Sequence, residues 1–144
     1  MKKRYLQKSA GEMFFLFLFG IPYLYWIYSI GLELNKNTNS QKRIKPIYFQ
    51  ILLGYATLYL PIGMFILISN SIGFEKIIPF HITAMGCIFL AMILATISIL
   101  RFEKSNNLES SSGIGLFFGI WYYIFGIWSI QPKLNKYINL KNNS

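Results

Sequence analysis

Few side chains in this sequence could do chemistry, and their spacing argues against most of it. One histidine, His81, and one cysteine, Cys87, share an apolar stretch. A cysteine nucleophile needs a base within hydrogen-bond reach. Six residues of regular helix separate two side chains by about 9 Å of rise and about 120° of turn. His81 therefore fits an interfacial position near a helix start better than a thiol peptidase, and Cys87 fits a small packing residue. With one His and one Cys, the usual zinc ligand sets cannot be assembled within a chain. The acids are Glu12, Glu33, Glu75, Glu103 and Glu109, with no aspartate, and all fall at the edges of apolar stretches or in polar connectors. A carboxylate in the middle of a membrane segment usually marks a proton or ion path, and none is central here. Nor is there a foundation for paired-carboxylate catalysis or a carboxylate metal cluster. Gly113-Ile114-Gly115 lacks the lysine and the strand–turn–helix setting of a phosphate-binding loop. The expectation is a protein that is not an enzyme, with no catalytic, cofactor-binding or metal-binding residues and no cofactor.

The elements around these residues indicate the setting. Of 144 residues, 54% are hydrophobic and 13% charged, and the charges cluster between long apolar runs. Soluble domains carry about 25% charged residues, whereas apolar runs of about 20 residues match the hydrocarbon thickness of a bilayer. Four such segments cover about 13–34, 47–69, 77–100 and 114–130, within one membrane domain spanning 1–144. The basic start, Met1-Lys2-Lys3-Arg4, followed by Met13-Phe14-Phe15-Leu16-Phe17, imitates a signal peptide. The apolar run continues through Tyr23, Tyr25, Trp26 and Tyr28 without a small-residue cleavage site, so retention is expected. The net charge of +9 could suit nucleic acid, but its cations flank membrane segments, where they set orientation and meet anionic lipid headgroups. Lipid is thus an expected partner and nucleic acid is not.

The middle pair reads as a transmembrane hairpin. Pro61 lies inside its first helix and should kink it, while Pro79 lies near the start of its second, where proline is tolerated. On that helix Thr83, Cys87, Ala91 and Ala95 recur every four residues and form a small-residue face. Such a face permits close helix approach in lipid, with Gly54 and Thr57 of the preceding helix as the expected partner and a second copy of the chain as the alternative. The polar stretch from Arg101 to Ser112 reads as a flexible connector.

The outer segments differ from this pair. The first carries Tyr23, Tyr25, Trp26 and Tyr28, and the fourth Trp121, Tyr122, Tyr123, Phe125 and Trp128. These are side chains that favour the membrane boundary. Gly20 with Pro22, and Gly115, Gly119 and Gly126, interrupt them, as expected of broken or re-entrant helices. At an offset of 100, Tyr23, Ile27, Ser29 and Ile30 match Tyr123, Ile127, Ser129 and Ile130, and Leu34-Asn35-Lys36 matches Leu134-Asn135-Lys136. This register is the mark of an internal repeat. Gly20-Ile21-Pro22-Tyr23-Leu24-Tyr25-Trp26-Ile27-Tyr28, followed by Leu34-Asn35, resembles a family of small bacterial membrane proteins of unknown function. Its members carry Gly-Ile-Tyr-x-x-Tyr-Trp-x-Tyr and then Leu-Asn, often twice around a pair of membrane helices. Here Pro22 replaces the first tyrosine, and Phe125-Gly126 stands where the second copy would have Tyr-Trp. The resemblance implies a layout and no activity.

Charge separates two topologies. Four full transmembrane helices with the N-terminus inside put eight cations inside (Lys2, Lys3, Arg4, Lys8, Lys76, Lys133, Lys136, Lys141) and six outside (Lys36, Lys42, Arg43, Lys45, Arg101, Lys104). That is hardly a bias, against the positive-inside tendency. If the outer segments are re-entrant or interfacial and only the middle hairpin crosses, Lys76 alone of the 14 cations is outside. The expected fold is therefore all-α and integral to the bacterial cytoplasmic (inner) membrane, a central transmembrane hairpin flanked by two aromatic-rich segments, with four full spans as the alternative. The expected role is a membrane accessory or immunity-type protein that acts on lipid, on another membrane protein or on a second copy of itself. The alternative is an oligomeric channel or transporter subunit, for which the middle hairpin offers only Gln50, Thr57, Thr83, Thr96 and Ser98 as polar groups.

Overall fold

The computed structural model describes residues 6, 8–17, 20–36, 38, 43–69 and 73–142, and these are helical or connect helices, with no strand among them. The middle of the chain forms α3 (Pro46–Ser69) and α4 (Phe74–Ser105), packed antiparallel so that Tyr59 of one meets His81 of the other. These two helices are long and apolar enough to cross a membrane. Their 24 and 32 residues correspond to about 36 and 48 Å of rise. Both continue through their prolines, Pro61 and Pro79.

The outer segments are each divided in two. The first is α1 (Ala10–Phe17) and α2 (Ile21–Asn35), and the fourth is α5 (Gly113–Trp121) and α6 (Tyr123–Asn142). Local chemistry explains the divisions. Ser9 and Glu12 make a reciprocal capping box at the start of α1, with Ser9 N–H to Glu12 Oε2 at 2.7 Å and Glu12 N–H to Ser9 Oγ at 3.2 Å. Gly20, at φ +68°, takes a positive-φ conformation that glycine adopts readily, immediately before α2 begins. Ser112 caps α5 by accepting from Gly115 N–H. Between α5 and α6 the chain folds back so closely that a Cβ on Gly126 would lie 1.9 Å from the Gly119 carbonyl oxygen.

Contacts along the helices give their directions. Lys8 bonds to Asn135, and Gly11 and Phe14 lie against Trp128, so α1 runs antiparallel to α6. The Tyr23 and Tyr123 rings meet at a tilt, centroids 4.9 Å apart, and Trp26 bonds to Gln131, so α2 runs parallel to α6. Each outer pair is thus a helical hairpin, and both open towards the end of the molecule where α3 starts and α4 stops. Their turns reach the level of Phe89 and Met92 on α4, which leaves roughly 25 Å of the α3–α4 hairpin standing beyond them.

Three expectations need correction. The polar stretch Arg101–Ser112 is not a connector throughout, because α4 continues to Ser105. It ends there on a Schellman-type stop, with Asn107 at φ 52° and Leu108 N–H bonded to the Glu103 carbonyl at 2.9 Å. The extra turn carries Phe102 onto Tyr137, ring centroids 5.2 Å apart. Pro79 also lies deeper in its helix than expected, since α4 begins at Phe74. Finally, the small-residue face divides: Ala91 and Ala95 are fully buried, Cys87 is half-buried and Thr83 is exposed. Gly54 and Thr57 line a groove facing Ile21, Leu24, Tyr25 and Tyr28 of α2.

Candidate functional site

The polar groups that the fold brings together lie at the end where the outer hairpins open. Glu103, in the last turn of α4, is completely buried. Its Oε2 accepts the Ser111 backbone N–H at 2.7 Å, and its Oε1 accepts the Tyr137 hydroxyl at 2.6 Å as well as the Ser111 hydroxyl. Lys133 Nζ stands 3.5 Å from the same oxygen and also donates to Ser111 Oγ. Donors from the α4–α5 connector and from α6 therefore converge on one carboxylate, the surroundings an anion requires inside protein. Burial, together with donation to Glu103, pushes the Tyr137 phenol above its ordinary range. In front of this cluster lies a cavity of about 340 Å³ lined by Leu108, Glu109, Ser110, Ser111, Lys133, Lys136 and Tyr137.

A second network joins the chain's beginning to α6. Trp26 Nε1 donates to Gln131 Oε1 at 2.8 Å. Gln131 Nε2 donates to the Leu6 and Lys8 carbonyls at 3.0 and 2.9 Å, and Asn135 Nδ2 to the Lys8 carbonyl at 3.1 Å. Asn35, the counterpart of Asn135, holds Ile44 at both backbone groups, accepting its N–H at 2.9 Å and donating to its carbonyl. Leu34 and Leu134 are both buried. Each Leu-Asn pair thus places one side chain in the core while the next fastens an incoming strand of backbone. Tyr23 serves the turn of the other hairpin: its hydroxyl donates at 2.7 Å to the Ile120 carbonyl, which lies in the last turn of α5, where helix carbonyls lack a partner. Among the described residues, every buried side-chain nitrogen and oxygen has a hydrogen-bond partner.

The donors converging on Glu103 make this arrangement a clamp between α4, the α4–α5 connector and α6. Ser111 beside Lys133 suggests a nucleophile with its base, but a base must be free to take a proton. Lys133 is engaged as the cation of Glu103 and donates to Ser111. His81 and Cys87 are not brought together: His81 Nδ1 lies 3.2 Å from the Tyr59 hydroxyl, and Cys87 is half-buried farther along α4. No group of three metal-ligating side chains gathers among the described residues. Three of the four hydroxyls considered for a pore turn back onto their own helix, Thr83 to Pro79, Thr96 to Met92 and Ser98 to Leu94, while Thr57 lines a groove against α2 and Gln50 reaches Tyr28.

Sequence reasoning missed Glu103, yet a signal was there. The every-fourth-residue series through Ala91 and Ala95 continues to Ile99 and Glu103, and all four are fully buried. Reading that series past the last apolar run would have placed Glu103 on the core face. Comparison with known protein families, with curated proteins and with solved structures finds no match to this chain.

Proposed function

We propose that this chain is a multi-pass protein of the bacterial cytoplasmic membrane in which only α3 and α4 cross. In this arrangement α1–α2 and α5–α6 enter from the cytoplasmic side and turn back inside the bilayer. One observation carries the reading. The α3–α4 hairpin beyond the outer pairs exposes Leu58, Ile62, Phe65, Ile68, Phe80 and Ile82, each more than half accessible, whereas the opposite end buries and pairs its polar groups. Water disfavours a continuous exposed apolar surface of this extent, and lipid accepts it. A re-entrant turn must hide its backbone, and here Gly126 is buried and Tyr23 satisfies Ile120. The matched surroundings of Leu34-Asn35 and Leu134-Asn135 support their descent from an internal repeat of the resembling family's kind.

In function the protein is a non-enzymatic accessory or immunity-type factor that works through contacts with lipid or with another membrane protein. A net charge of +9 and a polar cluster occupied in holding the fold support this role. Deleting the gene should sensitise the producing cell to a peptide encoded beside it, and expression in a sensitive strain should confer resistance. Unchanged sensitivity in both strains would remove the immunity role.

A further inference from the structure

The cavity in front of Glu103 has a use that its walls define. Within the cluster Lys133 is taken up by Glu103 and Ser111. That leaves Glu109 and Lys136, both exposed and both lining the cavity, without an ion-pair partner among the described residues. A small polar cavity bounded by one unpaired anion and one unpaired cation is neutral overall. It suits a ligand carrying both charges better than a simple anion. Ser110 and Ser111 add to its polar wall.

The position supplies the rest of the ligand. Glu103 lies 29 residues beyond the start of α4, about 43 Å of rise, which exceeds a hydrocarbon core of about 30 Å. The cavity therefore sits at the level of the cytoplasmic headgroups when α4 crosses. From the same connector α5 climbs into the bilayer with Ile114 and Phe118 exposed, an apolar surface on which acyl chains can lie.

We propose that this cavity is a headgroup site for a phospholipid with a primary ammonium, of the phosphoethanolamine class, its phosphate against Lys136 and its ammonium against Glu109. The inference rests on the membrane reading above. A quaternary ammonium has no N–H to donate to Glu109, and a phosphoglycerol head has no cation for it, so both should be held less well.

The test reconstitutes the full chain into vesicles of phosphatidylcholine alone or mixed equally with phosphatidylethanolamine or phosphatidylglycerol. Lipids retained after detergent extraction are then identified by native mass spectrometry. Retention of phosphatidylethanolamine should exceed that of either competitor about tenfold, the scale of one charge-assisted hydrogen bond. Glu109→Gln and Lys136→Gln, which leave the Glu103 clamp intact, should each remove the preference without changing thermal stability. Equal retention of phosphatidylglycerol, or a preference that survives Glu109→Gln, overturns the site. Displacement of the lipid by equimolar soluble glycerophosphoethanolamine overturns the lipid as its source. Insertion into every vesicle with no preference sinks this inference alone, whereas failure to insert into any vesicle sinks the membrane reading with it.

Discussion

The two ends of this molecule solve the solvation problem in opposite ways. At the Glu103 end, polar groups are buried and fastened: a carboxylate takes donors from two other segments, and Gln131, Asn135 and Asn35 hold incoming backbone. At the other end, the α3–α4 hairpin carries apolar side chains that touch little else, with Phe65 and Ile68 more than two-thirds exposed. The first end encodes its structure in specific partners, so single atoms matter there. The second encodes it in average polarity, so the surrounding medium matters more than any neighbour. Substitutions should therefore act on stability at one end and on insertion at the other.

The largest effect is expected where backbone meets backbone. Gly126→Ala puts a methyl against the Gly119 carbonyl, a contact no rotamer can relieve. It should cost about 3 kcal/mol or more, above ordinary overpacking. Gly54→Ala meets nothing within 4 Å and lies inside a helix, so it should leave stability unchanged or raise it by up to about 1 kcal/mol. Thermal unfolding in detergent separates the two, and equal shifts would show that the α5–α6 turn is not as close as described.

A smaller loss is expected from the clamp. Glu103→Ala leaves the Ser111 N–H and the Tyr137 hydroxyl without their acceptor and should cost about 2–4 kcal/mol. Phe65→Ser at the open end should shift detergent stability by less than about 0.5 kcal/mol while lowering the fraction inserted into vesicles. A stability loss from Phe65→Ser as large as that from Glu103→Ala would erase the distinction between the ends.

Much of the architecture was legible from pattern. Uncharged length marked α3 and α4, Gly20 with its positive φ marked the break before α2, and Gly119 and Gly126 marked the α5–α6 turn, where the lack of a side chain lets the two helices approach. The register of Leu34-Asn35 with Leu134-Asn135 pointed to comparable positions before their contacts were visible. The polar cluster was not legible, for a physical reason. Hydropathy ends a membrane helix where charges begin, but α4 continues past Arg101 because Phe102 packs on Tyr137 and Glu103 finds donors far away in sequence. Those donors are serine and tyrosine groups with no distinguishing motif. The extent of the small-residue face was not legible either, because spacing shows that a face exists and not how much of it other helices cover.

The central claim is that both Leu-Asn copies and the Glu103 cluster share the cytoplasmic side, with only the tip of the α3–α4 hairpin outside. The most direct test replaces Cys87 with Ser and introduces single cysteines by Lys45→Cys, Gly73→Cys and Asn106→Cys, all at exposed positions. Intact cells are then treated with a thiol reagent that cannot cross the cytoplasmic membrane. The account predicts labelling at position 73 alone, with 45 and 106 reacting only after lysis. Labelling at 45 and 106 in intact cells, with 73 protected, is the pattern of four full spans with the N-terminus inside and would contradict it.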